Sequence, residues 1–81
     1  MDEKEILWKC RRGTKELDIL MSDFYKSTYN SLSNPQKKAF ITLLSLEDPI
    51  INDLILNKIY IKDIAVNEIA DMIRVVKLDF F

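Results

Sequence analysis

The sequence predicts an all-α fold: a small, single-domain antiparallel five-helix bundle occupying residues 1–81. Three observations carry that prediction. Apolar residues recur at offsets of three and four, and no period-two alternation competes with them. Helix start and stop residues arrive at short intervals. The composition is 48% hydrophobic and 31% charged with one glycine and two prolines, which excludes disordered, collagen-like and disulfide-scaffold chains. A chain of this length buries about 60–65% of its unfolded surface, enough for one small core.

The elements follow in order. Residues Asp2 to about Arg12 open with Asp2, Glu3 and Glu5 and close with Lys9, Arg11 and Arg12, the charge order that the helix macrodipole favours. Gly13, the only glycine, stands where a left-handed residue would end this helix. Thr14 caps a second helix whose inward face is Leu17, Leu20, Met21, Phe24 and Thr28. Asn30–Ser33 reads as a turn. Ser33 and Gln36 then form a capping box, with Pro35 in the first turn of a third helix that buries Phe40, Leu43 and Leu44. That helix stops near Glu47, because Pro49 disfavours a helical conformation at Asp48. Asp48 and Pro49 start the fourth helix as N-cap and first residue, with Ile50, Ile51, Leu54 and Ile55 inward. Asn57 to Lys62 connects, Asp63 caps, and Val66, Ile69, Ala70, Ile73 and Val76 form the clearest amphipathic stripe in the chain. Connections this short imply antiparallel neighbours.

Charge and cysteine usage narrow the function classes. Twelve basic and thirteen acidic residues leave a net charge of −1, with no general attraction to nucleic acid or anionic lipid. A lone cysteine, Cys10, cannot form an internal disulfide, which suits a reducing compartment, and it reads as a small buried hydrophobe. Histidine is absent, so histidine-based triads and histidine metal ligands are excluded. No apolar run approaches 18 residues, so membrane insertion is not expected. With no transit segment, bacterial cytoplasm is the expected location, ahead of a mitochondrial matrix.

One segment concentrates chemistry. Lys9, Arg11, Arg12 and Lys15 place four positive charges in seven residues around Gly13, with Trp8 before them and Glu16 and Asp18 after. Such a helix–helix corner lets a partner backbone approach at the glycine and offers donors and acceptors beside it. An ordinary reading stands next to this one. Arg11 and Arg12 at a helix end and Glu16 and Asp18 at a helix start compensate dipoles, worth about 0.3–1 kcal/mol each. Trp8, taken by itself, reads more readily as a core or rim aromatic than as a contact residue.

The run Arg12-Gly13-Thr14-Lys15-Glu16-Leu17-Asp18 resembles the Arg-Gly-x-x-Glu-Leu-Asp motif of the small FAD assembly factors of succinate dehydrogenase, the flavinator family. The resemblance covers nearly the whole chain. Trp8 and Arg11-Arg12 precede the glycine as in bacterial members, and Leu32-Ser33, Phe40, Leu43-Leu44 and Glu47-Asp48-Pro49 are similar in order and spacing. The chain departs from the family in carrying Thr14 where many members have Met, and Leu54 where the fourth helix often has Trp. It also ends with Phe80 and Phe81, which either cover the core edge or form a self-association patch, in place of the basic tail of some relatives.

The resemblance implies an accessory protein and not an enzyme. Its partner would be the flavoprotein subunit of succinate dehydrogenase, and in some bacteria that of fumarate reductase, whose covalent attachment of FAD it promotes by positioning. FAD would belong to the partner, with no cofactor held stably by this chain, which would be a monomer when free. Carried over residue by residue, Arg12, Gly13 and Glu16 are the leading partner-binding positions, and Arg11, Asp18 and Trp8 follow. Arg12 would offer a planar fork to a carboxylate or carbonyl. Glu16, four residues on, would orient that arginine or accept hydrogen bonds from the partner. Gly13→Arg is expected to leave the fold nearly intact and abolish binding. Three other classes compete with this reading. A generic interaction module of antitoxin type has no sequence feature against it. A nucleic-acid binder is opposed by Glu16, Asp18 and Asp23 beside the basic cluster. An enzyme acting alone is opposed by the lack of a phosphate loop or ligand cluster.

Overall fold

Local capping chemistry fixes most of the helix boundaries. The computed structural model describes residues 2–80, with side chains through Lys77. Its helices are α1 (Glu3–Lys9), α2 (Lys15–Thr28), α3 (Asn34–Leu44), α4 (Asp48–Ile55) and α5 (Ile64–Phe80), with a 3-10 turn at Tyr29–Ser31. Thr14 Oγ1 accepts from the Leu17 amide at 3.3 Å, and Asp63 Oδ1 from the Val66 amide at 3.3 Å. The Ser33–Gln36 capping box closes in both directions, at 3.3 and 2.9 Å. Phe80 has only its backbone described and Phe81 lies outside the described residues, so the two readings of that pair are left where the sequence put them.

Helix α5 lies against α3, α4 and α2, and the core fills the space between them. Phe24, Phe40, Met21, Leu43, Ile51 and Ile69 are fully enclosed. Phe24 and Phe40 pack with ring centroids 5.3 Å apart, and Tyr29 adds a third ring 5.8 Å from Phe40. No charged or polar side chain is buried among the described residues, so the core is held by apolar packing alone. The radius of gyration, 11.4 Å, is what a compact chain of this length should have, about 12 Å.

Four local expectations are corrected. Helix α1 ends at Lys9 with Cys10 as its cap, so Arg11 and Arg12 lie beyond the helix. Gly13 has no positive φ; the left-handed residue is Asn57, at φ 62°. Asn57 closes α4 in a Schellman arrangement, with Lys58 N–H donating to the Asp53 carbonyl (2.8 Å) and Asn57 N–H to that of Leu54 (3.1 Å). At the start of α4 the N-cap is Glu47, with no side-chain hydrogen bond, and Asp48 is already helical. Ile50, expected inward, is exposed on the same helix.

Candidate functional site

The Trp8–Asp18 segment forms the corner between α1 and α2, and its centre is an internal clamp. Arg12 Nη1 donates to the carbonyl of Leu44, at the end of α3 (2.8 Å), and to that of Lys9 (3.2 Å). Arg12 Nε sits 2.8 Å from Asp48 Oδ1. Both of these atoms are shielded from water and neither makes a hydrogen bond among the described residues, so the contact between them is an ion pair. The second Asp48 oxygen, Oδ2, accepts the Gly13 amide at 2.8 Å. One carboxylate at the start of α4 thus holds two consecutive residues of the corner. One guanidinium also closes the last turn of α3, where carbonyls lack helical partners.

The remaining motif residues surround this clamp. Glu16 is exposed and pairs with Lys77 of α5, Oε1 to Nζ at 2.9 Å, so it does not orient Arg12. Trp8 is 72% exposed. The exposed Arg11 guanidinium lies over its ring, 6.0 Å from the centroid. Asp18 is half-buried. Behind the corner, Cys10 is fully enclosed, as expected of a small hydrophobe. Burial pushes its thiol up to about 11, with the Arg12 charge pulling down and Asp18 pushing up more weakly. Beside the clamp an open groove of about 390 Å³ is lined by Thr14, Glu16, Leu17, Asp48, Pro49 and Asn52. The sequence motif therefore contributes both the clamp and one wall of a groove whose other wall is α4.

A family model described as "Flavinator of succinate dehydrogenase" matches residues 4–77, almost the full chain. This chain belongs to the flavinator family. A protein of Coxiella burnetii named FAD assembly factor SdhE is 45% identical over 56 residues, 69% of this chain and 68% of that protein. The Yersinia pseudotuberculosis protein of the same name is 43% identical over 56 residues, which span 69% of this chain and 64% of its own length. A longer match, to the protein so named in Pectobacterium atrosepticum, is 33% identical over 73 residues, 90% of this chain and 83% of the relative.

In this flavinator two further residues enter the picture that sequence reasoning assigned elsewhere or passed over. Asp48 read as a helix cap. The signal for its other use was Glu47 beside it, a second acid able to occupy the cap position and leave Asp48 free. Arg74 stood unremarked inside the α5 stripe. It donates from Nε to the Ile55 carbonyl (2.6 Å) and from Nη2 to that of Leu54 (2.9 Å), closing the end of α4. A lone base among Ile73, Val75 and Val76 was the available clue.

Proposed function

We propose that this flavinator binds the flavoprotein subunit of succinate dehydrogenase, and in organisms that have it the fumarate reductase subunit, and promotes covalent attachment of FAD there. The observation that carries this reading is the family match over residues 4–77 together with the assembly of its motif into one exposed corner beside a groove. Trp8, Arg11, Gly13 and Glu16 supply the docking face, with Arg12 and Asp18 behind it. Trp8 offers a rigid aromatic surface and Arg11 a planar fork, the residue types that dominate binding energy at interfaces. The flavin–protein bond forms through the partner's own groups. The flavinator contributes no reacting atom and holds no FAD of its own; it orders the partner so that the reacting groups meet, an effect of orientation and lost entropy. Within the described residues no helix is long and apolar enough to cross a membrane. The bacterial relatives favour action in the cytoplasm, as a free monomer that docks transiently.

The test is covalent flavin fluorescence of the flavoprotein subunit in a denaturing gel. Deleting the gene should abolish the fluorescent band, the wild-type chain should restore it, and Trp8→Ala with Arg11→Ala should restore it poorly. A band of unchanged intensity in the deletion strain would rule the function out.

A further inference from the structure

Asp48 does something its position does not require. It stands at the start of α4, next to Pro49, where an aspartate usually caps its own helix, yet α4 has no side-chain cap at all. Both carboxylate oxygens point instead to the α1–α2 corner, Oδ1 to Arg12 Nε and Oδ2 to the Gly13 amide, each at 2.8 Å. Gly13 is equally unexplained by its backbone. Its φ is not positive, so any residue could adopt the conformation. What a side chain there would meet is Asp48: an added Cβ would lie 3.0 Å from Oδ2. That oxygen is not free to retreat, because moving it breaks the Gly13 hydrogen bond and drags Oδ1 from Arg12.

We propose, on the premise that the partner docks at this corner, that Asp48 is its positioning residue: the carboxylate sets the course of Arg12–Gly13 across the α3–α4 turn, and residue 13 is glycine to leave room for that carboxylate. Substitutions at Gly13 therefore act inside the chain first, by displacing Asp48, and only through that on docking. Arg12 belongs to the same device, since its guanidinium is spent on Asp48 and Leu44 and does not reach outward.

Two cycles of variants of the full chain test this. In thermal unfolding, Gly13→Ala should lower Tm by about 4–8 °C in the wild-type background. In the Asp48→Ala background the obstructing oxygen is gone, and Gly13→Ala should leave Tm unchanged or raise it, because alanine restricts the unfolded chain. An equal fall in both backgrounds overturns the assignment of Gly13. In titrations with the purified flavoprotein subunit of succinate dehydrogenase, Arg12→Ala and Asp48→Ala should each weaken binding on the order of ten-fold, and the double variant no further. Asp48→Asn, which keeps an acceptor for the Gly13 amide, should recover part of the loss. Multiplying effects of Arg12→Ala and Asp48→Ala would show that the two touch the partner separately and would overturn the positioning role. If the wild-type chain fails to bind the subunit, the docking premise falls with the proposed function. The Tm cycle, which needs no partner, still decides whether Asp48 and Gly13 are coupled.

Discussion

Two arginines close helix ends in this molecule, and they do so with different consequences. Arg12 caps α3 through Leu44, and Arg74 caps α4 through Leu54 and Ile55. Each also holds a carboxylate. Arg74 takes Asp71 from its own helix, one turn away, at 2.6 Å and with that aspartate largely exposed. Arg12 takes Asp48 from a helix 36 positions further along the chain, and the same carboxylate binds Gly13. The first is a local fastening within a finished helix. The second joins the α1–α2 corner, the end of α3 and the start of α4 at one point. Within the corner the Arg11 amide still reaches back to the Trp8 carbonyl, but the Gly13 amide is held by Asp48, so the corner depends on the clamp where α5 does not.

The largest expected difference follows from that. Arg12→Ala should cost about 2–3 kcal/mol in urea unfolding, because it removes charge-assisted bonds and leaves Asp48 half-satisfied. Arg74→Ala should cost about 1–2 kcal/mol, the loss of carbonyl capping at one helix end. Asp71→Ala should fall within about 0.5 kcal/mol of wild type, as exposed pairs do. If Asp71→Ala destabilises as much as Arg74→Ala, Arg74 works through its carboxylate after all and the contrast between the clamps disappears.

Next in size is Asn57, which shares the Leu54 carbonyl with Arg74. Asn57→Ala places a Cβ at φ 62° and should cost about 1 kcal/mol, while Asn57→Gly should be neutral or slightly stabilising. Chemical denaturation of the two variants checks both signs. This site also shows what the sequence could and could not convey. The stripes from Leu17 to Phe24 and from Val66 to Ile73, and the caps at Thr14, Ser33 and Asp63, are local signals, and all lie where the pattern puts them. The motif corner was legible as a segment, from Trp8 to Asp18. Which residue turns left-handed was not: Gly13 is the expected end of α1, yet α1 closes at Cys10 in right-handed backbone and the left-handed residue falls at Asn57, after α4. For Asp48, Glu47 beside it signals a carboxylate free of the cap but not what that carboxylate holds. Its partner is 36 positions away, and only the packed helices bring Arg12 within 2.8 Å of it. For the same reason Glu16 was assigned to Arg12 by helical spacing, while the fold supplies Lys77.

Only the Arg12 corner has a buried thiol behind it, and that gives a pH signature. The Cys10 thiol is raised to about 11 by burial, against 9.0 for a free thiol. Between those values the unfolded chain has released the proton and the native chain still holds it, so stability falls as pH climbs from 9 to 11. Cys10→Ala should flatten part of this alkaline limb, and what remains carries the Tyr25 phenol, which burial also raises. Stability measured against pH for the two proteins isolates the thiol's share. A thiol reagent at pH 8 should accordingly label Cys10 slowly in the native chain and quickly in denaturant.

The smallest stability effect is expected at Glu16, and that is what makes the residue useful. Its ion pair with Lys77 is short, 2.9 Å, but more than half of the Glu16 side chain is open to solvent. Exposed pairs of this kind contribute little once side-chain ordering and screening are counted. Glu16→Ala should therefore shift unfolding free energy by less than about 0.5 kcal/mol. Arg12→Ala, four positions away, is expected to lose several times that. Docking should not follow the same order. Glu16 stands on the rim of the groove that Leu17, Asp48 and Asn52 line, so its carboxylate is free to leave Lys77 for a partner's donors. Flavinylation supported by Glu16→Ala should fall while its Tm stays with the wild type, and Lys77→Ala, which frees the carboxylate, should leave flavinylation intact. Were Lys77→Ala to fail as badly as Glu16→Ala, the pair itself would be the functional unit, and the corner would be fastened to α5 as well as to α4.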